Sequence, residues 1–257
     1  MKYRKFFPIM VVILFFNFMT ACSRASVSTP TKVATATPVP STPTKTAKPI
    51  STPWPTRTPN VIKTQNYDDI FSDVQKYKNE GVIPSTDGQY SVLDNYADTI
   101  AKRGFLHYKW LGDVTVMNFV YKSHVKWSTA GETYDTSGCG VVFAVQPSGD
   151  HHDHYGVVLD KSRIYFSSSH AGQYHDLGKT RGTGKLNFGN PAEADFTLIV
   201  YDYRAFVYVD SEFIGEYTLS KDQELYGNFG YGIISGTNHG YGTSCVITNS
   251  RLWKLKP

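Results

Sequence analysis

The sequence predicts an all-β domain folded as an antiparallel sandwich or barrel, on three observations. Short runs rich in β-branched and aromatic residues repeat through the second half of the chain. Turn residues separate these runs, and the runs at 196–201, 205–209 and 213–217 follow at the short spacing of hairpins. The segment that holds the runs, about 190 residues over 65–257, suits one domain.

The first residues have the layout of a secretory signal. Lys2, Arg4 and Lys5 precede an uncharged, largely apolar run over 6–19. This run is shorter than the roughly 20 apolar residues of a spanning helix, and no basic cluster follows it. We therefore expect a signal peptide over 1–21 that is cleaved on export.

The end of this signal carries a lipidation motif. Residues 19–22 read Met-Thr-Ala-Cys and resemble the lipobox of bacterial lipoproteins, in which leucine is usual at the Met19 position. The resemblance implies that Cys22 is acylated and anchors an extracytoplasmic protein to the bacterial cell membrane. The alternative is an ordinary signal peptide in which Cys22 is incidental.

A linker over 22–64 follows, built largely from Thr, Pro, Ser, Ala and Lys with five Thr-Pro pairs. Such a composition buries too little apolar surface to fold, so the sequence predicts a disordered, extended linker. Signal and linker hold nine basic residues and no acidic one, which leaves the domain with a net charge of −5. We therefore expect no nucleic-acid partner, and we expect a monomer.

The three cysteines of the chain divide into one and a pair. If Cys22 carries the lipid, Cys139 and Cys245 remain, and in an oxidising compartment they could form a disulfide. The alternative is two buried thiols that never meet, because the bond needs Cα atoms within about 7 Å.

One helix is expected before the strands, over 68–78. Ile70, Val74 and Tyr77 share one face of it, and Gly81 ends it. The predicted strands are 115–125, 140–146, 155–159, 163–168, 196–201, 205–209, 213–217, 229–235 and 245–255.

Four of these segments carry a resemblance. Residues 138–143 (Gly-Cys-Gly-Val-Val-Phe), 155–159, 213–217 and 227–231 (Gly-Asn-Phe-Gly-Tyr) occur in an order similar to the concanavalin A-like lectin/glucanase superfamily. The unit Val-Tyr-Val-Asp at 207–210 resembles its laminin-G-like and 3-keto-disaccharide hydrolase-like members. The resemblance implies a jelly-roll sandwich of two curved sheets whose concave sheet holds carbohydrate.

The retaining glucanases of that superfamily carry their carboxylates as E-x-D-x-x-E on one strand, since they need two carboxylates about 5 Å apart. The nearest match begins at Glu193 and Asp195, but Leu198 stands where the second glutamate is required. No catalytic residue is therefore predicted.

The densest polar segment is Asp-His-His-Asp-His at 150–154. In an extended chain His152 and His154 share one side, and His151 and Asp153 the other. His151, His152, His154 and His170 are candidate ligands for zinc or calcium, while no cofactor is otherwise expected. The alternative is a solvated loop.

A glycine-rich loop at 236–242 carries Asn238, His239 and Tyr241, which could hydrogen-bond and stack on a sugar. Tyr108 and Trp110 are added as stacking candidates. The alternative for the loop is an ordinary connection. The resulting prediction is a lipid-anchored module that binds carbohydrate or another extracellular polymer without catalysis. Two alternatives stay open: a metal-dependent enzyme of the 3-keto-disaccharide hydrolase type, and a structural envelope domain without a ligand.

Overall fold

The computed structural model describes residues 61–131, 137–148, 151–178 and 184–256. The predicted signal peptide, Cys22 and the predicted linker as far as residue 60 lie outside the described residues. Within them the chain forms one helix, α1 (Val61–Asn79), and thirteen strands. The strands are β1 (Gly88–Val92), β2 (Tyr96–Ile100), β3 (Phe105–Val116), β4 (Phe119–Thr129), β5 (Gly138–Ser148), β6 (His151–Leu159), β7 (Ile164–His170), β8 (Gln173–Asp176), β9 (Ala192–Tyr201), β10 (Arg204–Val209), β11 (Glu212–Thr218), β12 (Gly227–Ser235) and β13 (Thr243–Leu255).

These strands form two antiparallel sheets. The seven-stranded sheet has the order β1-β13-β4-β9-β10-β11, with β2 also paired to β13. The six-stranded sheet has the order β3-β12-β5-β6-β7-β8. Neighbouring strands are often distant in sequence, as expected for a jelly roll, so the predicted sandwich is confirmed.

The core lies between the two sheets, where alternate residues of each strand meet. On β12, Phe229, Tyr231 and Ile233 point inward, and the Phe229 ring lies 5.0 Å from that of Tyr121 on β4. The inward-facing rings of the two sheets thus pack against each other and form the core, as in other β-sandwiches.

A disulfide joins the sheets through this core. Cys139 on β5 and Cys245 on β13 are bonded, both side chains are fully buried, and their Cα atoms lie 5.4 Å apart. The predicted pairing is confirmed, and the alternative of two separate thiols is wrong.

Helix α1 covers the outer face of the seven-stranded sheet. Ile70, Val74 and Tyr77 are buried there with strand residues such as Ile199 and Trp253, as the predicted helix face required. The helix ends before Gly81, whose φ of +74° and N–H bond to the Lys78 carbonyl form a glycine cap.

The helix begins earlier than the sequence indicated. It starts at Val61, so residues 61–64 belong to it and were wrongly assigned to the linker. The rings of Phe71, Tyr90 and Trp253 surround Tyr67 at centroid distances of 5.5 to 5.7 Å. Packing against the sheet therefore stabilises the start of a helix whose own residues give only a weak helix signal.

The predicted strands need one further correction. The run at 115–125 was taken as one strand, but a turn at Met117 and Asn118 divides it between β3 and β4. Strands β1, β2 and β8 and residues 105–114 of β3 were missed, because these segments are partly or fully exposed. None of the described helices is long and apolar enough to cross a membrane.

Candidate functional site

The outer face of the six-stranded sheet is left open by α1, which covers the other sheet. Strand β3 forms the edge of this face and turns Leu106, Tyr108 and Trp110 outward, away from the inward-facing residues of β12. In register with these three side chains, β12 carries Ile234, Gly232 and Gly230. Tyr108 and Trp110 on the edge strand thus lie beside glycines of β12, and Leu106 lies beside Ile234.

Glycines keep the middle of this face low. Gly232 on β12 pairs with Gly140 on β5, and Gly156 on β6 pairs with Val142 of β5. A Cβ built on Gly156 would meet the Leu106 side chain at 3.2 Å, and one on Gly140 would meet the backbone of Val157 at 2.0 Å. The Leu106 side chain thus lies over Gly156, and a side chain at either glycine would displace its neighbours or push the strands apart.

A depression of about 260 Å³ lies on this face. Tyr108 forms one wall of the depression. Tyr165 on β7 and Tyr174 on β8 form the opposite wall, and the hydroxyls of these two tyrosines hydrogen-bond to each other. The full described lining is Gly104, Phe105, Leu106, Tyr108, His154, Tyr165, Ser169, Tyr174 and Ile234. None of these side chains is charged at neutral pH, apart from any protonation of His154.

His154 is held neutral in the depression. It is 7% exposed, and burial lowers the pKa of its imidazole below the ordinary value. Its Nδ1 lies 2.8 Å from the carbonyl oxygen of His152. Because a carbonyl only accepts, Nδ1 donates the hydrogen, and Nε2 is left as an acceptor. The ring also packs 4.9 Å from that of Tyr108.

Tyr108 and Trp110 form an aromatic ridge along β3, of which Tyr108 lines the depression and Trp110 lies beyond it. Their ring centroids lie 5.9 Å apart, and the His152 ring meets the Trp110 ring edge-on at 5.0 Å. Trp110 is 39% exposed despite its size. Partial burial raises the pKa of the Tyr108 hydroxyl, which keeps it protonated and able to donate.

The glycine-rich loop does not join this surface. Asn238 Oδ1 accepts the N–H of Arg103 at 2.7 Å, and the backbone N–H of His239 donates to Thr237 at 3.0 Å. The Tyr241 hydroxyl lies 3.3 Å from that of Ser128 on β4. None of the three lines the depression, although Asn238 holds the backbone just before Gly104. The five predicted ligand-binding residues thus occupy two separate places.

The structure also separates the candidate metal ligands. His152 and His154 point outward from β6 as predicted, but His170 follows the outward Ser169 and points to the other side. There its Nδ1 lies 2.8 Å from the carboxylate of Asp153. The alternative of a solvated loop is wrong for 152–154, which lie within β6.

The His151 side chain lies outside the described part, and so does Asp150. Among the residues that are described, no group of three His, Cys, Asp or Glu side chains could hold a metal ion. The zinc or calcium site therefore stays a prediction without an assembled ligand set.

The nearest match to a catalytic carboxylate strand lies on the other sheet. Glu193 and Asp195 project from β9 on the outer side of the seven-stranded sheet, while Leu198 is buried in the core. Glu193 lies 3.5 Å from Lys126, and Asp195 lies 2.9 Å from His124. Both carboxylates thus pair with basic groups, on the opposite side of the molecule from the depression.

The sequence reasoning missed Phe105, Tyr165, Ser169 and Tyr174. A signal existed for two of them, since Tyr165 and Ser169 alternate with the buried Ile164 and Phe166 in β7. Tyr174 lies on a short, exposed strand, and nothing in its local sequence indicates that β8 pairs with β7.

No protein-family model and no curated protein matches the sequence. Among solved structures, the chain is similar to the carbohydrate-binding module CBM66 from Bacillus subtilis, at 10% identity over 63% of this chain and 94% of that one, with a TM-score of 0.43. It is also similar to a β-glucanase of Bacillus licheniformis, at 12% identity over 56% and 69% with a TM-score of 0.37. Sheep galectin-11 in complex with glycerol is similar at 11% identity over 59% of this chain and 98% of that one, with a TM-score of 0.35. Sequence identities and TM-scores this low carry no functional inference for this chain.

Proposed function

We propose that this protein is a lipid-anchored, extracytoplasmic carbohydrate-binding module that acts without catalysis. The observation that carries the proposal is the depression on the six-stranded sheet, whose lining combines aromatic rings with neutral hydrogen-bonding groups.

This combination suits the two surfaces of a sugar. The C–H face of a pyranose or furanose ring is apolar and packs on aromatic rings, here those of Tyr108, Tyr165 and Tyr174. Its hydroxyls need donors and acceptors at fixed positions, which the His154 Nε2 and the Ser169 hydroxyl supply. Neutral polar groups within an aromatic frame therefore favour a polyhydroxylated ligand.

The charges around the depression narrow the ligand class. Its described lining holds no Lys or Arg side chain that would pair with a sulfate or carboxylate. It also holds no pair of carboxylates, which glycoside hydrolysis ordinarily requires. A neutral glycan that is bound and released unchanged is the ligand that this lining fits best.

Two features support the proposed location. The buried disulfide between Cys139 and Cys245 is of a kind that persists in oxidising compartments. Helix α1, through which the chain enters the domain, lies on the seven-stranded sheet, whereas the depression lies on the other sheet. With Cys22 acylated, this places the binding face away from the point where the linker joins.

The test is a binding assay with defined glycans. The full chain in non-ionic detergent is titrated with soluble β-1,3-glucan, β-1,4-glucan, fructan and peptidoglycan fragments. The heat of binding is measured by calorimetry, and the tyrosine fluorescence of the protein is followed in parallel. We expect saturable binding of at least one neutral glycan, weakened about tenfold by Tyr174→Ala, because truncating an aromatic anchor costs more than about 1 kcal/mol.

Phe213→Ala is the matched control. Phe213 is 43% exposed, against 50% for Tyr174, and it packs on Tyr208 at the seven-stranded sheet. Its substitution should leave binding within about twofold of the original. Absence of saturable binding to every glycan, or equal losses in both variants, would show that the depression is not the site.

A further inference from the structure

We propose that the depression is one part of a longer groove along β3, and that the ligand is therefore an extended polysaccharide chain that spans several sugar units. This inference rests on the proposed function and deepens it, because it states how much of a polymer the module contacts.

A second concavity adjoins the first. It measures about 430 Å³ and is lined by Asp98, His107, Tyr108, Lys109 and Trp110. Tyr108 lines both concavities, so a ligand that contacts the Tyr108 ring in the first concavity can continue directly into the second. The His107 imidazole lies 3.5 Å from the Asp98 carboxylate across this space.

A third concavity continues from the second. It is a cleft of about 350 Å³ between residues 92–96 and residues 109–114, where the edges of the two sheets face each other. Lys109 and Trp110 line it together with the second concavity. All three spaces are open to solvent, and each shares lining residues with the next.

The far wall of the cleft is held in place from the core. The Tyr231 hydroxyl donates to the carbonyl of Asp94 at 2.5 Å, and the Tyr231 ring stacks on Tyr96 at 5.2 Å. Asn95, between these two anchored residues, is exposed at the mouth of the cleft. The connection between β1 and β2 is thus fixed, with a polar side chain directed to solvent.

Strand β3 also offers its backbone along the groove. It is the last strand of its sheet, and no described strand pairs with its outer side. An edge strand presents unpaired N–H and C=O groups, which sugar hydroxyls can satisfy. Because β3 bulges after Trp110, its stretch from Phe105 to Thr115 runs beside β12 from Ser235 to Asn228, a distance of about 23 Å at the rise of a strand, which is still more than one sugar ring requires.

The experiment measures affinity against chain length. Di-, tetra-, hexa- and octasaccharides of the glycan that binds are titrated into the full chain and into the double variant Asn95→Ala/Trp110→Ala. Both side chains are exposed and lie outside the first depression. We expect the affinity of the original protein to rise at least about tenfold from disaccharide to octasaccharide.

The double variant should lose this rise and keep its disaccharide affinity within about twofold, whereas Phe213→Ala should retain both. An affinity that is independent of length, or a loss that is equal for all lengths, would overturn the extended groove while leaving the proposed function intact. Failure of the original protein to bind any glycan would overturn both.

Discussion

Removing the disulfide between Cys139 and Cys245 is expected to cost this domain a large part of its stability. The bond closes a loop of 106 residues and joins the two sheets across the core. The double variant Cys139→Ala/Cys245→Ala frees that loop in the unfolded chain while leaving the surface of both sheets unchanged.

The magnitude follows from the length of the loop. In the chain-entropy model a loop of this length contributes about 4.8 kcal/mol to the free energy of unfolding at 25 °C. For a domain of this size each kcal/mol moves the melting temperature by about 2 to 4 °C, so a decrease of about 10 to 20 °C is expected.

Urea unfolding followed by tryptophan fluorescence measures this change, with the original protein under oxidising and reducing conditions as a comparison. Reduction should destabilise the original protein and leave the double variant unchanged. A loss below about 1 kcal/mol would refute the reasoning, since it would mean that the unfolded chain is not constrained by the bond.

Three further outcomes are expected. Ile70→Ala should lower the free energy of unfolding by about 3 kcal/mol, because it leaves a cavity between α1 and the sheet, whereas the exposed Gln75→Ala should change it by less than about 0.5 kcal/mol; urea titration of both checks this. Burial lowers the pKa of His154, so its contribution to stability is present above pH 6.5 and is lost as the pH falls through that value toward the lower pKa of the folded state. Stability should therefore fall between pH 7.5 and 5, and His154→Gln should reduce that fall; an unchanged pH profile would contradict the assignment. Metabolic labelling with a fatty-acid analogue should mark the protein, and Cys22→Ser should abolish the label; an equally labelled variant would place the lipid elsewhere.

Much of the fold could be predicted because it depends on local patterns. Runs of β-branched and aromatic residues between turn residues marked most strands, as in β9 and β10, and the Ile70, Val74 and Tyr77 spacing marked the buried face of α1. The count of cysteines indicated the Cys139 and Cys245 pair, since Cys22 was predicted to carry the lipid.

The early start of α1 was not predictable in this way. The first turns of the helix are stabilised by contact between Tyr67 and Trp253. These two residues are close in space but lie near opposite ends of the domain's sequence. Tertiary packing here outweighs the weak helix signal of residues 61–67, as it often does for an amphipathic helix.

The site shows the same division more sharply. Tyr108 and Trp110 were predicted from being two aromatic residues near each other in sequence, and both line the concavity beside β3. That His154 is neutral, and that its Nε2 accepts in the depression, depends on burial by neighbouring strands and on the carbonyl of His152.

The sequence by itself determined the all-β class, the apolar face of the one helix, and which two cysteines were free to pair. Only the tertiary structure decided that Tyr108, His154 and Tyr174 surround one depression, and that Asn238 and Tyr241 lie elsewhere. The physical reason is that a strand's own residues specify which of its side chains point outward, whereas the order of strands in a sheet depends on packing across the whole core.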